Sequence, residues 1–145
     1  MRIYTASSWR NERYQAVVKA LLEVGHEVYD FRHPDGQDEP SCGFHWSNID
    51  PQWEDWSPDQ FRLALSHPTA VEGFDKDLCG LDWADACVLI MPCGRSAHLE
   101  LGYAVGKGKF TIILLDEGDE PELMYLFASS ICLTVDEMLG ELGEA

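Results

Sequence analysis

Ala86-Cys87-Val88-Leu89-Ile90-Met91-Pro92-Cys93-Gly94-Arg95-Ser96-Ala97-His98-Leu99-Glu100-Leu101-Gly102-Tyr103-Ala104-Val105-Gly106-Lys107-Gly108-Lys109 is the stretch that decides the fold. Its opening run, residues 86–91, is apolar throughout and reads as a strand buried on both faces. A turn over residues 92–95 then leads into a helix of apolar and small residues. Glu100 is the one acid on that helix. A carboxylate among such neighbours must be paired, neutralised or used.

The same alternation extends in both directions. Ile3 to Ala6 reads as a short opening strand. Tyr14, Val17, Val18, Leu21 and Leu22 recur at helical spacing, and Gly25 is a natural stop. His26 to Phe31 reads as a second strand, closing a strand–helix–strand unit. Beyond the Glu100 helix, Phe110 to Leu115 reads as a further buried strand. A short helix near Leu123 to Phe127 and a strand near Ile131 to Leu133 follow. Thr134 is placed to cap a last helix, with Glu137 completing a capping box. Strands alternating with helices predict one α/β domain over residues 1–145, a five-stranded parallel sheet with helices on both faces. Ligands of such sheets bind beyond the carboxyl ends of the strands, where the strand order switches. The loops after Ala6, Phe31 and Met91 then share one rim, and Glu100 falls just past it.

Residues 32–56 interrupt the pattern. They hold Pro34, Gly36, Pro40, Gly43 and Pro51 together with Phe44, Trp46, Trp53 and Trp56. So long an irregular connection is uncommon unless it serves as a lid or binding loop. The tryptophans suit stacking on a base, and suit equally a satellite cluster or a subunit interface. Ser57-Pro58 starts a helix, and a second begins near Pro68 with Val71, Phe74, Leu78 and Leu81 as its apolar stripe.

Composition narrows the partners. The chain has 145 residues, 46% of them apolar, and a net charge of −16. That charge repels phosphate backbones and anionic bilayers, so neither nucleic acid polymers nor membranes are expected partners. It leaves room for a small anion held by local backbone N–H groups. Cysteines 42, 79, 87, 93 and 132 show no zinc or redox spacing, and Cys87 and Cys132 read as small hydrophobes. With no signal-like segment, a reducing, cytoplasmic setting is expected. GxGxxG and P-loop patterns are absent, which argues against dinucleotide and triphosphate cofactors.

On the Glu100 helix, Ala97 and Ala104 flank the carboxylate on its own face and leave space for a ligand. Gly102 and Gly106 form a second small ridge suited to close packing on the sheet. The nearby helix N-terminus favours an ionised acid, as a carboxylate nucleophile requires. The rival reading is a capping glutamate. With Ser96 as cap, the reciprocal position is 99, which is leucine. His98, two residues from Glu100, points to another helix face. Cys93 lacks a sequence-placed histidine–acid pair and ranks low as a nucleophile.

Two motifs resemble the nucleoside 2-deoxyribosyltransferase family. Asp77-Leu78-Cys79-Gly80-Leu81-Asp82-Trp83-Ala84-Asp85 is similar to that family's Asp-Leu-x-Gly-x-x-x-Ala-Asp segment before the central strand. Ser96-Ala97-His98-Leu99-Glu100-Leu101-Gly102-Tyr103-Ala104 is similar to its small-residue turn followed by Glu-x-Gly-[Tyr/Phe]. Tyr4 in the opening strand also fits. The order of elements covers most of the chain, the specific motifs about a fifth. The resemblance implies a flavodoxin-like fold, with Glu100 as the nucleophile on an anomeric carbon and Asp77 holding or protonating the nucleobase. Tyr4, Gly94, Arg95 and Ser96 are then expected to bind substrate, while Ser7 and Arg10, after the first strand, read either as contacts to sugar or phosphate or as an ordinary helix entry with Asn11 or Ser8 as cap. It further implies a homo-oligomer in which a neighbour completes each site, and chemistry that needs no cofactor or metal. Asp85, at a helix end, reads as structural.

The chain departs from the family in the turn, where an aspartate is usual before the glycine and small hydroxyl residue. Here Cys93-Gly94-Arg95-Ser96 stands there, and its guanidinium, hydroxyl and helix N–H groups suit a phosphate. Arg95 reads equally as a surface arginine beside the many acids. Three functions therefore remain open: a deoxyribosyl transferase, a nucleoside monophosphate N-glycosidase, and a non-catalytic nucleotide-binding sensor.

Overall fold

The computed structural model describes residues 1–33 and 43–145. Cys42 and the prolines and glycine at 34, 36 and 40 lie outside the described residues. The chain divides into two compact units, Met1–Asp30 with Trp83–Ala145, and Phe31–Asp82.

The first unit carries the sheet. Its strands are β1 (Arg2–Ala6), β2 (Glu27–Asp30), β3 (Ala86–Ile90), β4 (Phe110–Leu114) and β5 (Ser130–Cys132). All pair in parallel, in the order β2-β1-β3-β4-β5. The predicted α/β architecture is therefore the observed one. Every residue of β3 is buried, which is why its sequence is unbroken by polar side chains. The strand order reverses between β1 and β3, so the switch point lies between their carboxyl ends.

Register sorts the side chains by face. Tyr4, Tyr29, Cys87 and Thr111 lie abreast on one face, Thr5, Asp30, Val88 and Ile112 on the other. Helix α1 (Tyr14–Glu23) packs over the second set: the buried Tyr14 hydroxyl lies 2.7 Å from Thr5 Oγ1 and donates to Asp30 Oδ1 at 2.8 Å. Gly25 follows α1 with φ +89°, the left-handed conformation that ends the helix without a Cβ penalty.

At the amino rim of the sheet, Asp85 accepts from Arg2 three times. The backbone N–H bonds Oδ2 at 3.0 Å, Nε bonds Oδ2 at 3.2 Å, and Nη2 bonds Oδ1 at 2.6 Å. These bonds hold its carboxyl down at about 2, the Arg2 side chain contributing most. Asp85 thus clasps β1 to the start of β3, which gives it the structural role read from its position.

The last helix of the sheet unit, α5 (Val135–Glu144), is capped by Thr134 Oγ1, which accepts from Glu137 N at 3.1 Å. Glu137 reaches back one residue further than a capping box requires and accepts from Leu133 N at 2.7 Å.

The second unit is helical with an aromatic satellite. Helix α2 (Pro58–Ala64) starts in a complete capping box between Ser57 and Gln60, with proline in its first turn. Helix α3 (Pro68–Trp83) follows. Trp46 sits edge-on to Phe44, Trp56 and Phe61, with ring centroids 4.9, 5.7 and 5.7 Å away. Trp56 also donates its indole N–H to Asp50 Oδ2 at 2.7 Å. Trp46 and Trp56 are therefore engaged with protein, as the satellite-cluster reading expects. The predicted stripe of α3 is only partly covered: Leu81 is buried and Leu78 half-buried, while Val71 and Phe74 are exposed.

Candidate active site at the carboxyl rim

Helix α4 (Arg95–Gly106) springs from the carboxyl end of β3. Ala97, Leu101 and Ala104 are buried and form its sheet-facing side. The alanines are small because the helix lies close on the sheet, rather than to leave a ligand space beside them. Gly102 and Gly106 do not make the second packing ridge expected of them. Both are exposed, and a Cβ at either would meet nothing within 4 Å. They line a groove of about 790 Å³ together with His98, Leu101 and Val105 of α4 and residues of the 120–128 segment, Tyr125 among them. Helical periodicity distinguishes small from large residues, but it does not say which small face meets the sheet.

Glu100 is the sixth residue of α4 and is half-buried. Its charge is felt inside the sheet. Burial pushes the Cys87 thiol up, and Glu100 is the next cause, ahead of the opposing pull of Lys109. In the rim turn, burial, Asp119 and Glu100 together push Cys93 up to about 12. Cys93 therefore stays a thiol, which removes it as a nucleophile at neutral pH. Cys87 in turn lies abreast of Tyr4, so Tyr4 belongs to the sheet face that the Glu100 charge reaches. Tyr4 is fully buried and stacks on Tyr29 at 5.1 Å.

Two loops are tied together across the switch point. Ser7 donates its hydroxyl proton to Ile90 O at 2.8 Å. Asn11 Nδ2 lies 3.1 Å from Ile90 O, 3.2 Å from Pro92 O and 3.0 Å from Ser7 Oγ, and the residue is 3% exposed. Arg13 adds a third link, donating to Leu115 O and pairing with Asp116, both at 3.0 Å. Ser7, expected to bind substrate, thus has its proton committed to the β3 carbonyl. Asn11 read from sequence as a helix entry. Its structural role arises because β1 and β3, distant in sequence, are neighbours in the sheet.

The remaining candidates divide by place. Gly94, Arg95 and Ser96 form the first turn of α4, and all three are exposed. Gly94 is the N-cap residue and supplies no side-chain cap, so nothing of its own covers the first N–H groups of the helix. Arg10 is exposed in the loop after β1. Asp77 is half-buried on α3, in the second unit. No group of three or more His, Cys, Asp or Glu among the described residues is arranged to hold a metal ion.

His98 is the residue the sequence reading underrated. Its Nδ1 lies 2.8 Å from Gly94 O and its Nε2 2.8 Å from the Tyr125 hydroxyl, with the two rings stacked at 5.7 Å. Cys93 Sγ is 3.7 Å from the same Nδ1 and 3.3 Å from Met91 Sδ.

Three solved structures share this architecture. The chain is similar to a 2-deoxyribosyltransferase from Bacillus psychrosaccharolyticus, with TM-score 0.63 and 20% identity over 95% of this chain and 90% of that one. It is similar to the CMP N-glycosidase BcmB of Clostridium botulinum, with TM-score 0.53 and 19% identity over 99% of both chains. A conserved protein from Enterococcus faecalis matches with TM-score 0.60 and 13% identity, over 99% of this chain and 98% of that one. The fold is that of the nucleoside 2-deoxyribosyltransferases. No family model and no curated protein matches the chain.

Proposed function

We propose that the protein cleaves or transfers at the N-glycosidic bond of a nucleoside or nucleotide, with Glu100 as the nucleophile. The observation that carries this reading is the placement of Glu100. It is a half-buried carboxylate on the helix that leaves the switch point, and its charge reaches both the sheet and the rim turn. The amino end of α4 favours the ionised side chain. Attack on C1′ expels the base and leaves a glycosyl ester on Glu100. A second base or a water then takes the sugar, with net retention. Asp77 holds or protonates the departing base, a role that rests on the resemblance of its motif. Two of the structures with this fold are named for a deoxyribosyltransferase and a CMP N-glycosidase, which supports chemistry at this bond.

A second reading, hydrolysis of nucleoside 5′-monophosphates, has its own support. The first turn of α4 has no side-chain cap at Gly94, and Arg95 and Ser96 are exposed beside it. Helix N–H groups, a guanidinium and a hydroxyl suit a phosphate. Arg10 is a further cation for the same substrate. Assembly into a homo-oligomer, with a neighbour completing each site, belongs to the same proposal and is read by sedimentation.

One assay tests these readings. Deoxynucleosides and monophosphates are incubated with the protein, with and without an acceptor base, and free base is followed by chromatography. Exchange only with acceptor supports transfer, and release from monophosphates supports hydrolysis. Thermal stabilisation by ligand without release leaves a nucleotide sensor. Glu100→Gln is expected to abolish turnover while the protein stays folded. Unchanged base release by that variant overturns the nucleophile.

A further inference from the structure

We propose that His98 is a positioning residue that fixes the anion-facing turn of α4 in a single imidazole tautomer, as the link in a chain from Tyr125 to the Gly94 carbonyl. The inference rests on the monophosphate reading for its substrate but not for its geometry. Gly94 O only accepts hydrogen bonds, and it lies 2.8 Å from His98 Nδ1, so Nδ1 must carry the proton. In the neutral ring Nε2 is then the acceptor, and it faces the Tyr125 hydroxyl at 2.8 Å. The Tyr125 O–H donates to Nε2, and Nδ1–H donates to Gly94 O. The Cys93 thiol, at the longer distance of 3.7 Å, is directed to Met91 Sδ at 3.3 Å and does not compete for the ring.

This chain acts where the backbone is least constrained. Gly94 has no side chain, a Cβ there would meet nothing within 4 Å, and no side chain caps the helix. The Gly94 carbonyl and the Arg95 N–H belong to one planar trans peptide unit, so they point in opposite directions. Holding the carbonyl on the His98 side therefore aims the Arg95 N–H away from it, out of the helix end where Arg95 and Ser96 present their side chains. His98 thus orients the helix end by donating to its N-cap carbonyl, and the first N–H groups keep no side-chain cap. Its second anchor, Tyr125, lies in the 3₁₀ turn Leu123–Phe127, so the rim turn is fastened to a separate part of the sheet unit. Glu100 is held instead through the buried Ala97, Leu101 and Ala104 face of α4. Loosening His98 is expected to disturb anion binding and leave the chemical step nearly intact.

The test has a structural arm and a kinetic arm. In the wild-type protein, nitrogen-15 NMR of the His98 ring is expected to show the proton on Nδ1. A proton on Nε2 overturns the inference and leaves the proposed function untouched. In the base-release assay with a nucleoside monophosphate, His98→Ala is expected to raise KM about fivefold, the loss of one ordinary hydrogen bond, with kcat nearly unchanged. KM for the matching nucleoside should not move. His98→Asn, whose amide N–H replaces Nδ1–H, should recover most of the loss, and His98→Gln should not. A merely structural role predicts equal losses for both substrates and no preference for asparagine, and either result overturns the proposal. If the wild-type protein releases no base, the function fails separately. The inference is then read with inorganic phosphate. Phosphate should shift the Arg95 and Ser96 amide resonances and bind His98→Ala about fivefold more weakly. Absence of those shifts in the wild type overturns it.

Discussion

Asn11 and Asp85 show how much of this fold is held by side chains that do no chemistry. The Asn11 amide serves carbonyls of Ile90 and Pro92 and the Ser7 hydroxyl while almost wholly buried. Replacing it by alanine leaves Pro92 O without that donor. Asn11→Ala is expected to cost about 2 kcal/mol, within the range for orphaning a buried polar group, measured by urea denaturation. A loss below a few tenths of a kcal/mol refutes the tie. Asp85 makes a prediction in pH. Its carboxyl titrates at about 2 in the folded protein against an ordinary 3.8, so the folded state prefers it ionised. That preference is fully present above the ordinary value and is lost as pH falls through about 2. Asp85→Asn should lower Tm at pH 7, and the gap to wild type should close in acid. A gap that persists unchanged at pH 2 contradicts the Arg2 clasp.

Among the elements, α4 and the aromatic satellite mark what sequence makes legible. The strands, the helix starts at Ser57 and Thr134, and the stop at Gly25 follow from local chemistry, and the structure has them. Glu100 was legible as well, because a lone acid in an apolar helix is visible without coordinates. The His98 chain was not, since Tyr125 meets the ring only once the 123–127 turn lies against α4. The same holds for Gly73 on α3. A Cβ there would come within 2.6 Å of Phe44 Cβ, an atom that cannot swing aside without the backbone. Alanine usually favours a helix over glycine by about 1 kcal/mol. Here overpacking should win: Gly73→Ala is expected to destabilise by about 1–3 kcal/mol and to alter the tryptophan fluorescence of the cluster. Stabilisation with an unchanged spectrum refutes the close approach of Phe44 to α3.

For the whole molecule, charge sets a general cost. A net charge of −16 on 145 residues raises self-repulsion in the compact state. Raising ionic strength from about 10 to about 150 mM shortens the screening length roughly fourfold. The melting temperature is expected to rise with it, as scanning calorimetry measures, and a fall would show that attractive pairs dominate instead. Against that acidic background the cations of the rim stand out. Arg10 and Arg95 are exposed at the end of the sheet where β1 and β3 deliver their loops. On the monophosphate reading, a small anion at this rim would be held by local groups and not by the overall field.

The Arg2–Asp85 clasp fastens the rim of the sheet remote from α4's first turn, and the exposed Glu27 lies abreast of Arg2 there. A biotin or affinity handle attached at position 27 would therefore leave from the base of the sheet unit. Tethered to a support by that end, the protein would keep the Gly94 to Glu100 turn turned toward the flowing liquid.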